Sequence, residues 1–250
     1  IFKRGTDNAG ARPRLQYIQR EGIYDPKAVP ARARVQHLTE VFGEALRDDL
    51  VATNAVNMPG WAKGNPIAFF TAAEKYERAN GITYTEWKFS LPRELTREAQ
   101  LAAAQDVFAA HFGTVHPYVW AMHEPKAADG GEQPHIHVLW SSRTLDGIER
   151  PPSQFFKKYQ ADDPGRGGAR KNLDLHAFGA VKDQRRSYTD IMNVYLERSG
   201  VDMRMHPDSH AKRGLARTPE PRVLPSDSNK AKFRGEVTEG WAKVLASRAE

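Results

Sequence analysis

At 250 residues the chain is long enough to bury a sizeable core, and no apolar run in it approaches the ~20 residues of a membrane span. With no cysteine it can build neither a disulfide framework nor a thiolate metal site, which fits a cytoplasmic protein. The net charge of +6 is unevenly placed: residues 1–34 carry eight basic and three acidic side chains, 157–171 five and two, and 204–234 eight and three, so cationic charge gathers in three segments as a polyanion-binding surface requires.

No secretory signal opens the chain, and Ile1 in place of Met leads us to expect a trimmed N-terminus. From about Arg12 the sequence reads as a short basic helix, with Leu15 and Ile18 on its apolar side and Gly22 as its stop. Arg14 and Arg20 lie three residues either side of Tyr17, a spacing that puts two guanidiniums on the face of one phenol. Tyr24 follows in a Tyr-Asp-Pro turn and is a second candidate phenol. Residues 30–50 carry the apolar stripe of an amphipathic helix ending on Leu50. After a turn-rich connector around Trp61, Pro66 opens a helix expected to stop at Gly81. The segment 84–91 alternates as a strand and sets Glu86 on its polar face; an Ala-rich helix then runs to Gly113.

Two strand-like segments, 117–123 and 135–141, flank a polar, turn-rich stretch suited to a long hairpin loop. His135 and His137 lie two apart and so share a face of the second strand, while Ile136, Val138 and Trp140 face a core. An antiparallel hairpin brings His123, at the end of the first strand, beside them, and three imidazoles on one face make an open metal site. The loop 162–172 (DDPGRGGARKN), rich in glycine and charge, could bring backbone N–H groups and cations to phosphate. A helix from about Asp183 to Arg198 ends at Gly200, and beyond it lies a Pro-, Ser- and Lys-rich tail with a weak last helix around Trp241. We expect a domain at 1–210 and a basic linker or wrapping tail at 211–250.

The segments PRLQYIQREG, NMPGWA, ERANG with TEWKFSLPREL, PHIHVLWSSR with DGIERP, and the run from GGARK through LERSG stand in the order seen in the MobA/MobL relaxases. The chain resembles that family, plasmid-mobilisation members of the HUH endonuclease superfamily, over about residues 11–210. The resemblance implies an α/β (α+β) fold, a central antiparallel sheet flanked by helices in two or three layers. It implies metal ligation by His123, His135 and His137, a nucleophilic Tyr17, and a strand glutamate at Glu86. The sequence departs from the family pattern at RMHPDSH, where Pro207 separates His206 from His210.

The resemblance further implies nicking of single-stranded DNA at an origin of transfer, with accessory relaxosome proteins and a coupling protein as partners, no membrane insertion and a bacterial cytoplasmic location. An ordinary phenol is only about 0.1% ionised at pH 7, a deficit of about 4 kcal/mol. Nearby cations, Arg14 and Arg20 here, offset part of such a deficit. Glu86 could accept the proton or orient a histidine. Arg143, Arg150, Arg170 and Lys171, with Arg14 and Arg20, are the candidate DNA-binding cations. Imidazole donors by affinity favour Mn, Ni, Zn or Cu over Mg, whereas the resemblance implies Mg or Mn as the working ion. The alternatives are a rolling-circle replication initiator or HUH transposase, a hydrolytic metallophosphoesterase that forms no covalent intermediate, and a non-catalytic DNA-binding module.

Overall fold

The computed structural model describes residues 2–4, 10–21, 49–127, 130–216, 221, 223–224, 227, 230 and 235–249. The expected helix over 30–50, up to residue 48, and Tyr24 lie outside the described residues. Five strands, β1 (Phe2–Arg4), β2 (Leu50–Val56), β3 (Thr85–Ser90), β4 (Tyr118–His123) and β5 (His135–Trp140), form one sheet in the order β1-β3-β5-β4-β2. Every neighbouring pair is antiparallel. Among the described residues the α-helices are α1 (Ala11–Gln19), α2 (Pro66–Tyr76), α3 (Arg97–Phe112), the single turn α4 (Pro152–Phe155), α5 (Ala180–Arg198) and α6 (Glu239–Ala249).

Helices cover both faces of the sheet. On one face Leu15 and Ile18 of α1, Phe69 and Phe70 of α2 and Phe155 of α4 pack with Val119, Ala121 and Leu139. On the other, Val107, Phe108 and Phe112 of α3 and Met192 of α5 pack with Trp87, Trp120, Ile136, Val138 and Trp140. This is the antiparallel α+β architecture expected, in three layers. Alternation in HIHVLW had predicted a half-buried strand, yet all six residues of β5, and all six of β4, are buried. They are interior strands, so the face beyond the histidines is covered too.

Three boundaries differ from the sequence reading. Leu50 opens β2 instead of closing a helix, and the exposed Thr53 and Asn54 dilute the alternation that marks a strand. β1, a three-residue edge strand, carries too short a pattern to be read at all. α2 ends at Tyr76 because Glu77 leaves helical dihedrals (φ −70°, ψ 154°). Its carboxylate turns inward to Arg143 and Lys171.

Candidate metal centre and nucleophile

The register of β4 on β5 sets His123 directly opposite His135, and the register of β3 on β5 sets Lys88 opposite His137 and Glu86 opposite Leu139. Residues opposite one another in a ladder share a face. His123, His135, His137, Glu86 and Lys88 therefore all project towards α1. The three imidazoles have ring centroids 5.1–5.5 Å apart. Each offers a ligand atom within 4.8 Å of the others, and all three residues are buried.

Hydrogen bonds fix which nitrogen of each ring keeps its lone pair, since a carbonyl or carboxylate oxygen can only accept. His135 donates from Nδ1 to the Gln133 carbonyl (3.0 Å), and His137 from Nδ1 to Glu86 Oε1 (2.7 Å), leaving Nε2 on both. His123 donates from Nε2 to the Ile18 carbonyl (2.6 Å), which leaves Nδ1, 3.3 Å from the Arg20 guanidinium. Burial pushes all three histidines down to about 3. The positive charge of Arg20 adds to the effect at His123, and that of Lys88 at His135 and His137. Neutral, buried, lone-pair-bearing imidazoles fit a divalent cation, which needs unprotonated ligands.

Glu86 is buried, which by itself raises a carboxyl, but hydrogen bonds from His137 and Arg14 outweigh burial and hold it at about 2. It is ionised at neutral pH and, by accepting from His137 Nδ1, holds that imidazole in one orientation. Arg14 grips it through Nε (2.9 Å to Oε2) and through Nη2 to Oε1, and Nη2 also stands 3.3 Å from His137 Nδ1.

α1 is pinned at both ends over this centre. Gly10, at φ 69°, turns the chain so that the Ala11 N–H reaches the Glu74 carboxylate of α2, where a Cβ would sit 3.0 Å from Glu74 Oε1. At the other end Arg20 adopts the left-handed conformation. Its Nη1 donates to the Tyr17 carbonyl (2.8 Å), and Nε and Nη2 both reach Asp49 Oδ1 (2.9 and 2.8 Å). Ala11, Leu15 and Ile18 lie on the buried side. Leu15 and Ile18 alone contribute roughly 3–6 kcal/mol of apolar burial. Tyr17 is thereby left half-buried with the Arg14 guanidinium 5.0 Å and the Arg20 guanidinium 4.7 Å from its ring centroid. Each of those arginines also approaches a different histidine of the triad.

The remaining candidate cations are dispersed. Arg143 is buried, bound to both oxygens of Glu77 and to the carbonyls of Phe156, Lys157 and Ala169. Arg150 is buried against Asp146 and the carbonyls of Ile148, Pro164 and Gly167. Neither presents a free guanidinium to DNA, so the expectation of phosphate contacts at Arg143 and Arg150 is corrected: both knit loops to the fold. Lys171 pairs with Glu77 (3.1 Å), and Arg170 is exposed. The glycine-rich loop is also occupied internally. A Cβ on Gly168 would lie 2.1 Å from the Lys157 carbonyl oxygen, and the Gly168 N–H donates to the Lys158 carbonyl. Its Gly168 allows backbone to approach backbone. Lys88 and Asp49 belong to the site and were missed. Lys88 was signalled only by lying two residues beyond Glu86 on the same strand face; Asp49 had no local signal.

Fold and donor set together define an α+β protein with a buried three-histidine cluster that could hold a metal ion, beside a tyrosine-bearing helix. The chain belongs to the MobA/MobL family, whose model matches residues 16–231. It is 37% identical over 193 residues to the 43 kDa relaxation protein of Salmonella typhimurium, covering 75% of this chain and 47% of the relative. It is 36% identical over 221 residues to Mobilization protein A of Escherichia coli, covering 87% of this chain and 28% of the relative. The chain thus spans less than half the length of either curated relative. A solved structure described as "Molecular Basis of Vancomycin Resistance Transfer in Staphylococcus aureus" matches 64% of this chain and 76% of its own at 19% identity, with a TM-score of 0.45. Among the described residues, no helix is long and apolar enough to cross a membrane.

Proposed function

We propose that this chain is the DNA-nicking part of a plasmid-mobilisation relaxase, acting in the bacterial cytoplasm on single-stranded DNA at an origin of transfer. One observation carries the reading: Tyr17 is held between two guanidiniums that each reach a histidine of a neutral, buried triad. The Tyr17 phenolate oxygen attacks phosphorus, the P–O3′ bond breaks, the 3′ oxygen takes up a proton, and a 5′-phosphotyrosine forms. One phosphoester replaces another, so the free 3′-OH can reverse the step and reseal the strand.

Arg14 and Arg20, both within 5.0 Å of the Tyr17 ring centroid, place positive charge where it stabilises the charge developing on the phosphate. Glu86, already engaged by His137 and Arg14, positions both; its full hydrogen bonding argues for orientation over proton abstraction. His123, His135 and His137 would hold the divalent ion, which supplies polarisation of the non-bridging phosphate oxygens. Mg or Mn is the working ion proposed, with Ni or Zn bound readily by the same donors. Residues 1–210 are assigned to nicking and the basic 211–250 to a linker or DNA-wrapping tail, into which the family match runs as far as residue 231. Accessory relaxosome proteins and a coupling protein are the proposed partners.

The test mixes the chain with labelled single-stranded oligonucleotides spanning the origin of its plasmid, with Mn²⁺ or EDTA, on a denaturing gel. A covalent protein–DNA band, absent with EDTA and in Tyr17→Phe, is the expected result. Cleavage without a covalent band would instead identify a hydrolase, and a band that survives Tyr17→Phe but not Tyr24→Phe would move the nucleophile.

A further inference from the structure

Two arginine–carboxylate couples flank Tyr17: Glu86 with Arg14, and Asp49 with Arg20. The second is almost out of water, the Arg20 side chain being 7% exposed and that of Asp49 9%. Asp49 Oδ1 accepts from both Nε and Nη2 of Arg20, at 2.9 and 2.8 Å. A planar guanidinium held through two of its nitrogens has little orientational freedom left, so Asp49 decides where the Arg20 head group lies.

Held there, Arg20 bears on Tyr17 in two ways. Its backbone N–H and its Nη1 both donate to the Tyr17 carbonyl, at 3.3 and 2.8 Å, and its guanidinium carbon stands 4.7 Å from the centre of the phenol ring. Arg20 also ends α1 at φ 55° and ψ 45°, a left-handed conformation that a residue with a Cβ keeps only where its surroundings hold it. The main chain of Asp49 is tied to the triad instead. Its carbonyl accepts from the N–H of Glu124, the residue after His123, at 2.8 Å, and the next residue, Leu50, pairs with His123 across β2 and β4. One residue thus joins a histidine-bearing strand to the helix end beside the phenol. The bond from His123 Nε2 to the Ile18 carbonyl ties the same helix end through its backbone; Asp49 ties it through the guanidinium that faces the phenol. Apolar burial of Ala11, Leu15 and Ile18 holds α1 to the core but is non-directional, so these polar ties set how Tyr17 lies against the histidines.

We propose that Asp49 is a positioning residue for the nucleophile: through Arg20 it sets Tyr17 at its place against the three histidines. The inference rests on the relaxase reading above. A displacement of about 1 Å at a reacting group can cost on the order of 100-fold in rate. The test measures how fast the covalent protein–DNA band forms in a single turnover, with Mn²⁺ and saturating labelled single-stranded oligonucleotides spanning the origin. Wild type is compared with Asp49→Ala, Asp49→Asn, Arg20→Leu and the Asp49→Ala/Arg20→Leu double variant, with rates taken per folded molecule from urea unfolding. In Asp49→Ala the rate at saturation should fall about 10- to 100-fold, while the dissociation constant for the same DNA, by fluorescence anisotropy, stays within about threefold of wild type. Asp49→Asn keeps an acceptor for Arg20 but not a charged one, and should fall between the two, at least about threefold below wild type. The double variant should match Arg20→Leu within about twofold, because a residue that acts through another adds no loss once that other is gone. A wild-type rate in Asp49→Ala, or a double variant slower than Arg20→Leu by the full Asp49→Ala loss, would overturn the assignment. If Asp49→Ala does not fold, Asp49→Asn carries the comparison, and a wild-type rate there overturns it. A wild-type chain that forms no covalent band would overturn the relaxase reading and this role with it.

Discussion

Arg143→Met separates an internal arginine from a DNA-facing one. The guanidinium is 4% exposed and holds both oxygens of Glu77 at 2.9–3.1 Å, together with the carbonyls of Phe156, Lys157 and Ala169 at 2.5–2.7 Å. Methionine of similar length fills the space and supplies no donor. It leaves the Glu77 carboxylate, 1% exposed, with Lys171 as its remaining ion-pair partner among the described residues. Breaking one side of a buried ion pair costs about 3–5 kcal/mol. Three orphaned carbonyls add roughly 1–3 kcal/mol each where water does not reach them. The total is comparable with the whole stability of an ordinary domain, about 5–15 kcal/mol. We expect a melting temperature at least about 10 °C lower, or no soluble protein, by circular dichroism and tryptophan fluorescence. Adding Glu77→Leu should recover part of the loss, because it removes the buried carboxylate and leaves only the partly exposed Lys171 without it. Arg170→Ala, at an exposed position, should melt within about 2 °C of wild type. An Arg143→Met protein that melts like wild type while losing affinity for single-stranded DNA would refute the internal role.

Glu86→Gln keeps the shape beside His137 and removes the charge that orients it; divalent-ion affinity, measured calorimetrically with Mn²⁺ or Zn²⁺, should fall about 10- to 100-fold. An unchanged affinity would separate Glu86 from the metal centre. The metal-free protein should lose stability towards acid in a defined window. His123, His135 and His137 sit at about 3 when folded against 6.5 when unfolded, so the unfolded chain binds more protons and stability rises with pH. Their contribution is complete above about pH 6.5 and is lost as pH falls towards 3. Urea titrations in EDTA should therefore give roughly 4 kcal/mol less stability at pH 5.5 than at 7.5; equal values would contradict the buried, neutral triad. Glu86, held near 2, acts in the same direction at lower pH, stabilising above the usual carboxylate range. Gly168→Ala pushes a Cβ to 2.1 Å from the Lys157 carbonyl oxygen and should destabilise by more than about 2 kcal/mol, readable as a shifted urea midpoint.

What the sequence disclosed and what it hid divide along the range of the interactions. The histidine hairpin was legible because a period of two and a turn-rich loop are local properties, and the ladder then sets His123 opposite His135. The short basic helix was legible for the same reason. Arg143 and Arg150 misled because local charge looks alike whether a guanidinium meets DNA or a buried acceptor: Glu77 lies 66 residues from Arg143 in the chain, and the Pro164 and Gly167 carbonyls lie 14 and 17 residues from Arg150. β2 escaped because an edge strand with polar residues at its centre loses its alternation. Glu86 was visible as a strand carboxylate, but the grip of Arg14 across 72 residues was not. Nothing in the sequence signals the Asp49 anchor of Arg20, which comes from the end of α1 folding back on the start of β2.

The hairpin that carries the triad has one more property. β4 is held by β2 on its outer side and β5 by β3 on its own, so neither strand needs the loop 124–134 to find its place. The middle of the loop, away from the Gln133 carbonyl that fixes His135, can therefore change in length without displacing a histidine of the triad. If the chain were cleaved there, Tyr17, Glu86 and His123 would remain on one piece and His135 and His137 on the other, with the ion bound across the cut. The metal centre would then act as a clasp between two halves of one polypeptide, and their reassembly in solution would report directly on the concentration of free metal.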